Sequence, residues 1–289
     1  MVCIIGPTAS GKTLVSIKLA KKFNGEVISA DSRQVYRDMD IGTAKIATEE
    51  MQGVSHHMLD ILGPDEVFSV AEFKERTVKI ASEILERGKL PFLVGGTMLY
   101  IDAVTKNYQI PEVEPDLDLR AELESKGRQK GLEPLLAKLE KLDPAALDLI
   151  DTNNPRRVSR ALEYCLKTGK KFSAELKQGT KLFDELLIGL DWPREKLYEC
   201  INQRVDKQLQ DGLLEETKKL AQKYSWDLPS MSGIGYKQMG MYLRGEVSLK
   251  EAIEILKRDT RRYAKRQLAW WKGDERIYWV PTRVYDGLT

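Results

Sequence analysis

One short stretch near the start of the chain limits what the rest can become: Gly6-Pro7-Thr8-Ala9-Ser10-Gly11-Lys12-Thr13. It matches G-x-x-x-x-G-K-[ST], the phosphate-cradling P-loop. In such a loop the glycines let the backbone curl so that successive N–H groups point inward, the lysine adds a point charge, and the final hydroxyl can ligate Mg²⁺. The flanks agree. Val2-Cys3-Ile4-Ile5 is an apolar run suited to a buried strand, and Thr13 to Lys22, apolar at Leu14, Val15, Ile17, Leu19 and Ala20, suits the helix whose N-terminus faces the anion. A loop of this kind specifies a di- or triphosphate with Mg²⁺ and leaves the reaction open.

The next strand, Glu26 to Ala30, delivers Asp31 and Ser32 to its end. In an open parallel sheet ligands sit beyond the carboxyl ends of the strands, so Asp31 is a candidate catalytic group; a turn or N-cap aspartate is the alternative. Ser32 to Lys45 is polar and irregular, as functional loops are. His56-His57 lacks a third ligand at metal spacing and reads as structural. Ser69-Val70-Ala71-Glu72 is a capping box opening a helix to Glu86-Arg87. Pro91 to Val94 is another buried strand and runs into Gly95-Gly96-Thr97, where a motor ATPase would carry the acidic residue that helps hold Mg²⁺. Strands alternating with helices predict an α/β fold: a P-loop NTPase-like parallel sheet flanked by helices.

The composition shifts at Asn107. From Pro111 to about Lys181 the signals are all helical, over 117–129, 133–141, 144–150 and 155–166, which predicts an all-helical insertion domain. The expected division is a core of residues 1–112 and 183–289 with an insertion at 113–182. Arg156 and Arg160 share a helix face, open either to an anionic partner or to solvent. Leu186 to Leu190 returns to strand character, Arg194 to Leu209 and Leu213 to Tyr224 read as helices, and Ser232 to Lys237 is a Gly-rich turn that could equally be a plain connector. Ser248-Leu249-Lys250-Glu251 caps a long helix in which Lys257, Arg261 and Lys265, then Arg258, Arg262 and Arg266, recur every four residues. They form a basic stripe about 13 Å long at 1.5 Å per residue, suited to an RNA backbone or to solvent. Arg276 to Val280 reads as a last strand.

Charge gives no shortcut, because 46 basic and 44 acidic residues leave a net charge of only +2; an RNA partner must be argued from local patches. Cys3, Cys165 and Cys200 show no C-x-x-C spacing and read as reduced thiols. With no leader-like start and no apolar run long enough to span a bilayer, the expected location is cytoplasmic.

Taken together, Gly6 to Thr13, Ser29-Ala30-Asp31-Ser32, Asp40-Ile41-Gly42-Thr43-Ala44-Lys45, Gly95-Gly96-Thr97, Pro155-Arg156-Arg157-Val158-Ser159-Arg160 and Gly235-Tyr236-Lys237-Gln238-Met239 resemble the bacterial tRNA dimethylallyltransferases, in order and with family-like spacings. The resemblance implies transfer of the dimethylallyl group from dimethylallyl diphosphate to N6 of the adenosine 3′-adjacent to the anticodon, with release of pyrophosphate. It implies that Gly6, Pro7, Thr8, Ala9, Ser10, Gly11, Lys12 and Thr13, with Arg204, hold the diphosphate, and that Mg²⁺ sits at Thr13. Asp31 matches the general base and Thr97 the residue that positions the adenine. Asp31, Ser32, Arg33, Gln34, Arg120, Arg156, Arg157, Val158, Ser159, Arg160, Ser232, Gly233, Ile234, Gly235, Tyr236 and Lys237 would touch the anticodon stem-loop, which is expected between core and insertion. A monomer is expected. The competing readings are a P-loop nucleotide kinase, a nucleotide-regulated RNA-binding module without chemistry, and an isopentenyltransferase acting on free AMP or ADP.

Overall fold

The computed structural model describes residues 1–109, 116–150, 152, 154–175 and 178–282, and only the backbone of residues 117, 128, 130, 149, 156 and 175. The first half of the chain alternates strand and helix: β1 (Val2–Ile5), α1 (Lys12–Lys22), β2 (Gly25–Ala30), β3 (His56–His57), α2 (Val70–Glu86), β4 (Leu90–Gly95) and α3 (Met98–Thr105). After the insertion come β5 (Leu186–Asp191), α9 (Arg194–Gln210), α10 (Leu213–Lys223), α11 (Tyr236–Leu243), α12 (Leu249–Trp271) and β6 (Ile277–Pro281).

Among the described residues six strands form one parallel sheet, in the order β3-β2-β4-β1-β5-β6. From β1 the chain skips one place to β2, and β4 later fills the gap. Strands with apolar residues on both faces need cover on both sides. Cys3 and Ile5 of β1 point into a core with Phe73, Ala81 and Ile84 of α2, Ile101 of α3 and Trp271 of α12. Ile4, between them, points the other way, against Ile17 and Ala20 of α1. Each fully buried Ile or Leu of this kind contributes about 1.5–3 kcal/mol of transfer free energy. A separate core joins Val35, Tyr36, Met39 and Leu62 of the connecting loops to Val205, Leu213, Leu220, Met239, Ala252 and Leu256 of α9 to α12.

Two capping boxes were expected. At Ser248 both halves are present, the hydroxyl accepting from Glu251 N and the Glu251 carboxylate accepting from Ser248 N. At Ser69 the hydroxyl accepts from Glu72 N at 3.1 Å. The histidine pair forms the short edge strand β3, and His57 Nε2 meets the carboxylate of Glu26 at 2.7 Å.

Lys106–Lys181 forms a second compact unit, distinct from Met1–Thr105 with Leu182–Thr289. It holds α4 (Leu117–Lys130), α5 (Glu133–Leu142), α6 (Ala146–Leu149), α7 (Pro155–Thr168) and α8 (Phe172–Glu175). The helix expected over 144–150 is shorter, α6 alone, and is preceded by Asp143. Fully buried, it accepts from the backbone and hydroxyl of Ser173 at 2.7 and 2.6 Å. Leu135 and Leu139 of α5 and Val158, Ala161 and Leu162 of α7 form the small core.

Candidate active site

The strand order places three sequence features side by side. The P-loop follows β1, Gly96-Thr97 follows β4, and Asp31 follows β2, with β4 between the other two. Neighbouring strands lie about 4.8 Å apart, so Asp31 and the loop are separated by roughly 10 Å, with Thr97 in the gap.

The loop adopts the curled backbone its sequence requires: φ is 153° at Gly6, 61° at Ala9 and 80° at Gly11. Among the described residues the N–H groups of Ala9 to Thr13 have no protein acceptor, as an anion nest at a helix N-terminus demands. Lys12 Nζ donates to the carbonyls of Gly6 and Pro7 at 3.0 and 2.7 Å. Burial, then the like charge of Arg204, pushes the Lys12 ammonium down to about 7, with Asp31 pulling the other way. Arg204, on α9, donates to the Thr8 hydroxyl at 3.2 Å; burial lowers its guanidinium and Asp31 opposes that. Trp192, at the end of β5, donates from its indole N–H to Ser10 O at 3.1 Å and so braces the loop from below. The Ser10 hydroxyl is buried without a partner.

Asp31 Oδ1 accepts from Arg33 N at 2.8 Å and Gln34 N at 3.4 Å, an Asx turn that fixes the carboxylate at the strand end. The residue shapes the turn, as the alternative reading expects, and its charge also reaches Lys12 and Arg204. Thr97 Oγ1 accepts from Ser32 N at 3.0 Å, which ties the ends of β4 and β2 together. Tyr263 of α12 stands beside them. Its hydroxyl donates to Gly96 O at 3.2 Å; burial, then the charge of Asp31, raises the phenol to about 12, with hydrogen bonding to Thr97 acting the other way.

A magnesium ion at the loop would have to take most of its ligands from an anion bound there. The Thr13 hydroxyl, exposed at the start of α1, offers one hard oxygen, and among the described residues no group of three or more His, Cys, Asp or Glu side chains could build a protein cage.

Two segments expected to meet RNA are physically joined. The Arg33 guanidinium donates to Pro229 O, to Ser230 O at 3.5 Å and to Ser232 Oγ at 3.4 Å. In the second of these segments Lys237 is exposed and Ser232 and Ile234 are half-buried, while Gly233 and Gly235 are buried. Tyr236 corrects the expectation. Fully buried, it donates its hydroxyl to Glu216 at 2.7 Å, so its side chain cannot be an RNA contact. Glu216 also accepts from the backbone N–H groups of Asp40, Ile41 and Gly42, clamping the 40–45 loop.

In the second unit Val158 and Ser159 are likewise buried, turned into its core, which corrects side-chain contact there too. Arg120 and Arg160 both pair with the buried Glu163, at 2.7 and 3.0 Å. Burial alone would raise that carboxyl, but the Asp116 N–H and the two guanidinium groups hold it below its ordinary value. Arg157 is exposed; the side chain of Arg156 lies outside the described residues. The stripe on α12 is not one surface. Lys257 and Arg261 turn to α9, meeting Asp206 and Asn202 at 2.7 Å each. Arg258 and Arg262 share Asp259, and Arg266 lies 5.7 Å from the Tyr263 ring centre.

Tyr263, Trp192 and Gln267 are site residues that the sequence did not single out for the site. The only signal was the spacing of Tyr263 and Gln267, one helical turn apart on one face of α12.

Comparison with known proteins follows the same lines. The IPP transferase family model matches residues 34–274. The tRNA dimethylallyltransferase of Acetivibrio thermocellus is 48% identical over 287 residues, covering 98% of this chain and 92% of that protein. That of Halalkalibacterium halodurans is 49% identical over 282 residues, covering 96% and 90%. Among solved structures, the tRNA isopentenylpyrophosphate transferase of Bacillus halodurans superposes with a TM-score of 0.72 at 49% identity, covering 97% of this chain and 89% of that one. A eukaryotic dimethylallyltransferase acting on tRNA gives 0.78 at 32% identity, covering 97% and 73%.

Proposed function

The chain belongs to the IPP transferase family, and on that premise we propose that it transfers a dimethylallyl group to tRNA. The donor is dimethylallyl diphosphate, the acceptor N6 of the adenosine 3′-adjacent to the anticodon, and the by-product pyrophosphate. One observation carries the reading: loop, Thr97 and Asp31 stand in that order on neighbouring strand ends, and neutral Gly95-Gly96 occupies the place of an ATPase's acid. The loop's phosphates are then a leaving group rather than a group to be hydrolysed or passed on.

The N–H groups of Ala9 to Thr13, Lys12 and Arg204 receive the diphosphate and stabilise the charge that grows on it as the allylic C–O bond breaks. Bound at Thr13, magnesium would add to that neutralisation. An adenine N6 is a weak nucleophile, because its lone pair is delocalised into the ring. The Asp31 carboxylate takes an N6 proton as the new C–N bond forms, and the Thr97 hydroxyl holds the base in line. The adenine leaves its stack to reach them. In this reading the chain works as a monomer in the cytoplasm; no described helix is long and apolar enough to cross a membrane.

The test is incubation with Mg²⁺, labelled dimethylallyl diphosphate and a tRNA bearing adenine beside its anticodon. Label in the RNA is expected; none, with brisk ATP hydrolysis, sinks the proposal. Because Asp31 also holds the turn, Asp31→Asn is the informative variant, keeping an oxygen for Arg33 N and Gln34 N. It should slow the chemical step by about 10²–10⁴ with RNA affinity within about threefold. Lost RNA affinity with unchanged chemistry would make Asp31 a contact residue and place the base elsewhere.

A further inference from the structure

Gln267, on the last turns of α12, is 1% exposed. Its side-chain oxygen accepts from Thr8 N at 2.8 Å, and its side-chain NH₂ donates to Gly96 O at 2.8 Å. The partners dictate which amide atom is which, since an N–H must meet oxygen and a carbonyl must meet a donor. One planar carboxamide therefore spans from the diphosphate loop to the strand end that carries Thr97. Thr8 is held at its other side by Arg204, and Gly96 O accepts a second bond from Tyr263.

The same contact accounts for the second glycine of Gly95-Gly96-Thr97. A Cβ on Gly96 would lie 2.3 Å from Gln267 Nε2. The backbone there lies outside the left-handed region, so it is the pressed-in amide and not φ that a side chain would have to displace.

We propose that Gln267 is a positioning residue for the transfer, setting the distance and orientation of the diphosphate loop relative to Thr97; this rests on the prenyl-transfer reading of the site. The chemistry favours a neutral amide here. A carboxylate would repel both Gly96 O and the diphosphate, and it could activate water against the allylic carbon. An apolar side chain would leave Thr8 N–H and the buried Gly96 carbonyl short of partners. A displacement between two ends held on different elements is sensitive to such slack, because a misplacement of about 1 Å costs on the order of a hundredfold in rate.

A double-mutant cycle of Q267A, G96A and the pair tests this. Each full-length variant is checked by thermal unfolding. Two measurements follow: affinity for magnesium pyrophosphate, and the single-turnover rate of transfer from dimethylallyl diphosphate to an anticodon stem-loop RNA. Each single variant should slow transfer by about a hundredfold with KM for the RNA within about threefold. The pair should be no slower than either alone, since the methyl added by G96A then meets no amide. Unchanged transfer in Q267A, or losses that add in the pair and follow the loss of thermal stability, overturns the proposal. If Q267A does not fold, Q267M keeps the length and removes both polar atoms; the same rate loss is expected, and an unchanged rate overturns the proposal. A wild-type chain that binds magnesium pyrophosphate but transfers nothing overturns the prenyl-transfer reading instead. Pyrophosphate affinity then still decides whether Gln267 holds the loop: about tenfold weaker in each single variant supports it, and unchanged affinity overturns it.

Discussion

Lys12 carries a consequence that can be measured as a count of protons. Its ammonium is shared between two carbonyls and crowded by Arg204, and burial with that like charge takes it from 10.5 down to about 7. A diphosphate seated on the loop replaces repulsion with attraction and pulls the value back toward that of an ordinary lysine. At about pH 8 the free loop then holds about 0.1 proton on Lys12 and the occupied loop about one, so binding takes up about 0.9 proton; at about pH 6 the uptake is only about 0.1. The sign follows: the bound state holds more protons, so affinity falls as pH rises, by up to about tenfold per pH unit above about pH 7. Titration calorimetry with a non-reacting dimethylallyl diphosphate analogue and Mg²⁺, in buffers of different ionisation enthalpy, reads the count directly. Lys12→Arg keeps the charge but cannot titrate in this range and should abolish the uptake. Wild-type uptake below about 0.3 at about pH 8, or equal uptake in the Lys12→Arg variant, refutes the reasoning.

Two further outcomes concern the frame under the site. Burial would raise the Glu26 carboxyl, but hydrogen bonds from Lys89, His57 and Arg87 override it and hold the group at about 2, below its ordinary 4.5. A folded-state value below the unfolded one stabilises above about pH 4.5, and that contribution is lost as pH falls through about 2. Glu26→Gln should therefore cost about 2 kcal/mol near neutrality, with the gap closing toward acid in urea unfolding; a gap independent of pH would contradict the assignment. Gly95 differs from Gly96, since a Cβ there would lie 2.1 Å from Ala30 O on the paired strand. Gly95→Ala should destabilise by about 3 kcal/mol or more by forcing β2 and β4 apart, and a variant unfolding at the wild-type denaturant midpoint would show that the strands can yield.

Features carried by consecutive residues were readable from sequence, and those made by distant ones were not. The run before Gly6, the P-loop and the strand delivering Asp31 each declare themselves within a dozen residues, and alternation of strand and helix fixes a parallel sheet. The placement of β4 between β2 and β1 has no local signature, yet it is what puts Thr97 beside Asp31. The edge strand β3 is only two residues long and offers no periodicity to read. Gln267 meets residues far away in the chain, Thr8 and Gly96, so its spacing says only that it shares a face with Tyr263. The basic row on α12 shows the same limit from the other side. Spacing identifies which cations share a face, but Asp206, Asn202 and Asp259 decide how much charge that face presents.

In the proposed reaction the site's charges lie along the direction in which charge must move. Lys12 and Arg204 stand at the loop, where the departing diphosphate gathers negative charge. Asp31 stands two strands away, where the attacking amine gathers positive charge. Between them stand Gly95, Gly96 and the Thr97 hydroxyl at the end of β4 and the Gln267 amide of α12, none of them ionised. An acid in that middle position would be close to both ends, attracting Lys12 and Arg204 away from the phosphates and competing with Asp31 for the amine's proton. In the proposed reaction the neutral Gly-Gly-Thr end of β4 is thus what would let the loop's phosphates leave rather than be passed on. It follows that Gly96→Asp should impair transfer more than Gly96→Ala, because it adds both bulk against Gln267 and charge in the one place where the proposed reaction requires none.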